Sequence, residues 1–335
     1  MPRSRGVIEN LPMIALLGSS GYIGTRFRNY MDAEGLPWTA IRRSDTDTFD
    51  AHGLTNTLSQ INAEFLINCA GYTGKPNVDA CEDHKAECLM GNAVLPGTVA
   101  KACESVGIPF GHVSSGCIFT GVRHDGRGFS EEDRPNFSFR QNNCSFYSGT
   151  KALGEEALAD ARRCFIWRPR VPFDNTTHPR NYLQKLLTYE RLLEAENSLT
   201  QLDDFVRACI DCYRLRIPFG IYNLTNPGSV RTSEITRLLQ EYGIVSRNFS
   251  FFADEAEFMA IAARAPRSNC VLDSSKAVNA GLRLSPIEDA LRCCLASWEG
   301  KRTLIRSQQM IQPTHSAAQL TKTSTPLRPR ASNMK

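Results

Sequence analysis

The stretch "GSSGYIG", residues 18–24, follows directly on "MIALL" and runs into "TRFRNYMDAEG", and this junction limits the fold more than any other part of the chain. "MIALLG" is an apolar run of strand length, and the residues after the glycines repeat apolar side chains at helical spacing up to a glycine stop. Glycines between a strand and a helix let the backbone turn tightly and approach a pyrophosphate, while the helix N-terminus offers unpaired N–H groups and a favourable dipole. The motif predicts a dinucleotide-binding unit with Gly18, Gly21, Tyr22, Ile23 and Gly24 at the cofactor.

The alternation continues. "PWTAIRR", "EFLINCAG", "PFGHVSSG" and "CFIWRPR" read as further strands, separated by helical stretches around Leu54 to Ile61, around Asp83 to Val106, and from about Tyr147. Strands alternating with helices imply an α/β, Rossmann-like, doubly wound parallel sheet. Beyond it, helical segments around Tyr182 to Glu194, Asp203 to Arg214, Thr232 to Tyr242 and Asp254 to Arg264 alternate with loops rich in Asn, Pro and Arg. The expected organisation is an NADP-binding domain over residues 12–172, with segments at about 200–224 packing on it, and a smaller C-terminal substrate-binding lobe over 173–300.

Residues 301–335 carry seven Lys and Arg with no Asp or Glu and too little apolar content to pack, so a disordered basic tail is expected there. Subtracting those seven turns the net charge of +4 into −3 for the remainder. Without interleaved aromatics the tail does not predict a nucleic-acid partner. No apolar run is long enough to span a bilayer, and twelve irregularly spaced cysteines predict reduced thiols, so the expected setting is cytoplasmic with no membrane contact. Cys209 and Cys212 form a CxxC within a helical apolar pattern and read as packing residues. Six histidines without a ligand pattern predict no metal.

Chemistry concentrates at the strand ends. An NAD site usually has an acidic residue after the second strand, whereas Arg42 and Arg43 stand there and suit the 2′-phosphate of NADPH. Cys69, Ala70 and Gly71 close the third strand against the same cofactor. "YSGTK" places Tyr147 and Lys151 one helical turn apart, where an ammonium is expected to lower the phenol's pKa and let it donate a proton to a carbonyl. Ser115, ending the fourth strand, can hydrogen-bond that carbonyl.

In this order the motifs resemble the extended short-chain dehydrogenase/reductase family. More specifically, "AGYTGKPNVDACEDHK", "GCIF", "EEDRPNFS", "FYSGTKA", "HPRNYLQK", "GIYNLTNPG" and "APRSN" resemble the bifunctional 3,5-epimerase/4-reductase family of nucleotide-rhamnose synthesis, over about Ile14 to Trp298. The resemblance implies that a nucleoside-diphospho-4-keto-6-deoxyglucose is inverted at carbons 3 and 5, then reduced at carbon 4 by NADPH, which also meets Tyr147 and Lys151. It puts the family's acid and base on Cys117 and Lys185, and offers Arg180, Asn181, Arg267 and Asn269 for the sugar and diphosphate. It also implies a nucleotide-glucose 4,6-dehydratase as pathway partner and leaves room for a homodimer. Gly149 departs from the family, which usually carries lysine there, and is expected to loosen the helix start. Three other readings stay open at this point: a 4-ketoreductase with Cys117 as bystander, a fucose-synthase-like enzyme, and a noncatalytic NADP-binding regulatory subunit.

Overall fold

The computed structural model describes residues 11–300, so the expected tail lies outside the described residues. The main sheet joins β1 (Ile14–Leu17), β2 (Trp38–Ile41), β3 (Phe65–Asn68), β4 (Phe110–Val113), β5 (Cys164–Arg168) and the strand Gly220–Asn223, all parallel. Its order is Gly220–Asn223, β5, β4, β3, β1, β2. The chain therefore reverses direction across the sheet between β1 and β3, and a crevice opens there beyond the strands' carboxyl ends. Leu17 pairs in register with both Ile41 and Asn68, so Gly18, Arg42 and Cys69 leave the sheet at one level.

Every residue of β1, β3, β4 and β5 is buried, as a parallel sheet covered on both faces requires. Helix α1 (Tyr22–Ala33) and the helix Leu202–Arg214 bury Phe27, Phe205 and Cys209 against one face, with Ile14, Leu16, Phe65 and Trp167. Helix α2 (Ala51–Gln60) and the helix Leu95–Val106 bury Leu54, Leu58 and Val99 against the other, with Ala15, Leu17 and Leu66. A separate core gathers Phe173, Leu183, Leu186, Leu199, Leu238, Leu291 and Trp298 from segments that flank the Leu202–Arg214 helix in sequence.

Three elements differ from the sequence pattern. The helix expected over Asp83 to Val106 begins at Lys85 and widens into a π-helical turn at Met90–Val94 before resuming. That turn accommodates Asn92, whose side chain bonds the Tyr72 backbone on the loop after β3. The helix expected to reach Glu194 stops at Thr188, because Arg191–Leu192 is extended and pairs with Ser250–Phe251. Finally, Gly220–Asn223 completes the main sheet, although four residues of mixed burial behind Pro218 and Phe219 carry little strand signal.

Candidate active site

The first part of the site is the crevice itself. Gly18 has φ +80, and a Cβ there would lie 2.5 Å from the Ala70 nitrogen, so the β1 and β3 loops touch through bare backbone. Gly21 caps α1 without any side-chain hydrogen bond, which leaves the first-turn N–H groups free to meet an anion. Arg42 and Arg43 are exposed just past β2, on the same rim. These observations fit a dinucleotide whose pyrophosphate crosses the α1 start and whose adenosine end reaches the arginines. Tyr22 and Ile23 offer backbone only: the Tyr22 ring stacks on His178 at 4.5 Å, and Ile23 packs into the core. Cys69 donates to the Leu17 carbonyl at 2.9 Å, and burial pushes its thiol up to about 12.

The second part is assembled by β4 and the helix Phe146–Glu156. Ser115 leaves β4 extended, and its Oγ accepts the Cys117 N–H at 3.1 Å, starting the 3-10 turn Gly116–Ile118. Ser145 caps the helix through the Ser148 N–H at 3.2 Å and so fixes where Tyr147 begins its turn. Gly149 does not loosen this start: a Cβ there would fall 2.3 Å from the Phe139 ring, so glycine is what lets that ring pack on the helix. Beneath the site Glu155 forms a buried pair with Arg168 at 2.7 Å and accepts the Ser114 hydroxyl at 2.5 Å, tying the helix to β4 and β5.

Lys151 Nζ donates to the Val113 carbonyl at 3.0 Å, and burial pulls the ammonium down to about 8, against the opposing charge of Glu155. Tyr147 moves the other way. Burial, followed by the charge of Cys117, pushes its phenol up, and a hydrogen bond with Ser115 only partly offsets this. The shift is opposite to the lowering expected from Lys151, because desolvation is the larger effect and the ammonium is engaged by the Val113 carbonyl. A phenol that keeps its proton remains a donor. From its π-helical turn, Asn92 accepts the Tyr72 N–H at 2.9 Å and donates to the Tyr72 carbonyl at 2.8 Å, fixing the loop after β3 next to Gly71.

The third part is a cavity of about 730 Å³ beyond the carboxyl ends of β4 and β5, bounded on its other side by residues of the second core such as Leu186 and Leu192. Tyr147, Cys117 and Lys185 all line it, as do Arg180, Arg267 and Asn269. Ser115 and Lys151 are buried beside it without lining it. Lys185 is pulled below the ordinary lysine range by burial first, then by Arg180 and Arg267, while Cys117 acts in the opposite sense. Arg180 donates to the Gly74 carbonyl at 2.6 Å and Arg267 holds Asp79 at 2.6 Å, so both cations are braced on residues 73–79. Asn269 accepts from the Asn197 amide at 3.2 Å.

Asn181 is corrected. It is fully buried and caps the helix Tyr182–Thr188, accepting the Leu183 N–H at 3.1 Å and donating to the Asp174 and Thr176 carbonyls at 2.8 and 2.6 Å, so nothing is left for a sugar. Arg170 was missed, having passed as the tail of the strand "CFIWRPR". It lines the cavity and donates to Cys117 Sγ at 3.1 Å. An arginine two residues beyond a wholly buried strand was the available signal, since such a charge needs a partner in the site.

Lysine burial makes a stability prediction. The folded state binds the Lys151 proton more weakly than the unfolded chain, so below about 8 the buried ammonium opposes folding in full; the penalty fades as pH rises toward the ordinary lysine value. Lys151→Met, losing one hydrogen bond, should gain about 1–2 kcal/mol at pH 7 and nearly nothing near pH 10, read by denaturant unfolding at both pH values. Equal stability changes at both would contradict the burial argument.

Among the described residues no helix is long and apolar enough to cross a membrane, and no group of three or more His, Cys, Asp or Glu could hold a metal ion.

The chain is 33% identical over 284 residues to the bifunctional dTDP-4-dehydrorhamnose 3,5-epimerase/dTDP-4-dehydrorhamnose reductase of Arabidopsis thaliana, covering 82% of this chain and 90% of that protein. Its fold is similar to the L780 UDP-rhamnose synthase of Acanthamoeba polyphaga mimivirus, with TM-score 0.78 at 25% identity, over 86% of this chain and 99% of that one. A dTDP-4-dehydrorhamnose reductase from Bacillus anthracis, solved in complex with NADP, shares the fold at TM-score 0.72 and 19% identity, over 85% and 98% of the two chains. The RmlD substrate binding domain model matches residues 12–299, and the chain belongs to the RmlD-like dTDP-4-dehydrorhamnose reductase family.

Proposed function

We propose that this protein is an NADPH-dependent 3,5-epimerase and 4-reductase of a nucleoside-diphospho-4-keto-6-deoxyglucose, forming the L-rhamnose nucleotide. The observation that carries this reading is that one cavity presents Tyr147 together with Cys117 and Lys185. Family membership supports the reductase half, and the pair of proton carriers beside it supports the epimerase half.

Carbons 3 and 5 both flank the carbon 4 ketone. Removing a proton from either breaks a C–H bond and sends its electron pair onto the ketone oxygen as an enolate; protonation from the opposite face then inverts the carbon. Two proton carriers are needed, and Cys117 and Lys185 supply them. Tyr147 and Ser115 hold the oxygen while its charge develops. Once both centres are inverted, Tyr147 gives its proton to the same oxygen as the ketone becomes an alcohol. Lys151, anchored on Val113, keeps a positive charge beneath that step. The crevice at Gly18 and the Gly21-capped start of α1 would hold NADPH, which when bound would supply the two electrons and the hydrogen that carbon 4 acquires.

The substrate must come from removal of water from a nucleotide glucose, which makes a 4,6-dehydratase the preceding enzyme. Either 4-keto-6-deoxyglucose nucleotide, UDP or dTDP, mixed with enzyme and NADPH tests the reading: one NADPH should be oxidised per sugar. No oxidation with either would end it.

Arg42 and Arg43 imply a preference for NADPH over NADH. A charge-assisted contact to the 2′-phosphate is worth about 1.5–3 kcal/mol, or roughly ten- to a hundredfold in affinity. Replacing both arginines by alanine should narrow the preference by that factor in the ratio of KM values. Equal use of the two cofactors by the unaltered protein would contradict it.

A further inference from the structure

Arg170 is a buried cation with no carboxylate to pair with. Its residue is 4% exposed. One terminal nitrogen donates to Cys117 Sγ at 3.1 Å; the other donates to Asn197 Oδ1 at 2.6 Å and to the Ser268 carbonyl. Nε is buried with no partner at all. Arg168, two residues earlier, shows the contrast, because Glu155 neutralises it. Among the described residues Arg170 forms no such ion pair, and the side chains it bonds are Cys117 and Asn197.

A guanidinium in low dielectric is costly without an anion nearby. Cys270 does not provide one: it is buried, its thiol is pushed up by that burial, and its Sγ donates to the Gly116 carbonyl at 3.4 Å. Cys117 is half-buried, faces the cavity, and already accepts the guanidinium N–H. A donated N–H strengthens markedly when its acceptor is charged. The bonds to Asn197 and Ser268 hold the guanidinium beside the sulfur.

We propose that Arg170 is the positioning residue for epimerisation, holding the Cys117 sulfur as the anion that takes the sugar's proton and leaving Lys185 to deliver a proton from the other side. This rests on the epimerase reading above. In the step, the sugar C–H breaks as S–H forms and the electron pair passes into the enolate. A Lys185 N–H then breaks as the new C–H forms, and the proton on sulfur returns to the amine through solvent.

The pair can be tested without turnover. Substrate-free protein is treated with iodoacetamide at pH 7, and alkylation of each cysteine is followed by mass spectrometry. In the unaltered chain Cys117 should react at least tenfold faster than Cys144, which is also half-buried but whose thiol burial pushes up. Parity between them overturns the proposal whatever the variants do. Arg170→Gln, if its melting transition shows it folded, should slow Cys117 alkylation at least tenfold, with Arg170→Lys in between. Solvent deuterium exchange at carbons 3 and 5 should fall in the same order, and further than reduction of an already inverted ketone. Unchanged alkylation in a folded Arg170→Gln protein overturns the pairing. If alkylation slows while exchange keeps its rate, Arg170 does not serve epimerisation and the proposal fails. Persistence of exchange in Cys117→Ala would instead overturn the epimerase reading on which the proposal rests.

Discussion

Tyr147→Phe should lower NADPH oxidation by about 10²–10⁴, because it removes the proton that the carbon 4 oxygen must receive during reduction. Folding should be unaffected, since the phenol is not a member of the Glu155–Arg168–Ser114 network that ties the helix to the sheet. The helix cap at Ser145 and the Lys151 contact with Val113 also remain. Cofactor binding at the Gly18 crevice should persist, as a fluorescence titration with NADPH would show. Proton exchange at carbons 3 and 5 should slow, because on the proposed mechanism the phenol also stabilises the enolate, yet stay measurable. A variant that reduces the ketone at the normal rate would remove Tyr147 from the mechanism.

Cys117→Ala should show the opposite bias. On the proposed mechanism, loss of one of the two proton carriers should cut deuterium uptake from solvent by about 10²–10⁴. Cofactor should still bind, and a 4-keto sugar supplied already inverted should still be reduced, because Ser115, Tyr147 and Lys151 are untouched. Product stereochemistry by NMR, beside the exchange rate by mass spectrometry, separates the two activities. If the variant makes the L-sugar at the normal rate, Cys117 only packs beside Arg170.

What the sequence disclosed depended on whether a residue's role is local. Gly18 could be read because a tight strand-to-helix turn leaves a mark within seven residues, and the buried strands because apolar runs and helical periods are local patterns. Tyr147 and Lys151 were legible as a pair one turn apart, but the direction of the phenol's shift was not, since it depends on how deeply that turn is buried and on where the lysine's flexible end settles. Asn181 was misread because an asparagine ahead of a helix serves equally well as cap or as ligand until its neighbours are known. Arg170 was hidden because its partners, Cys117, Asn197 and Ser268, come from 27 to 98 positions away. The π turn at Asn92 answers to a loop twenty positions earlier, which periodicity cannot register.

The central claim is that two proton-transfer systems act on one ketone in one cavity, and the unaltered protein in deuterated water tests it most directly. With NADPH and a 4-keto-6-deoxyglucose nucleotide, the account predicts a product in the L-configuration carrying solvent deuterium at both carbon 3 and carbon 5, with the cofactor's protium at carbon 4. A reduced 6-deoxy-D-sugar with no deuterium at carbons 3 and 5 would contradict it, leaving Cys117 and Lys185 without the role given them here.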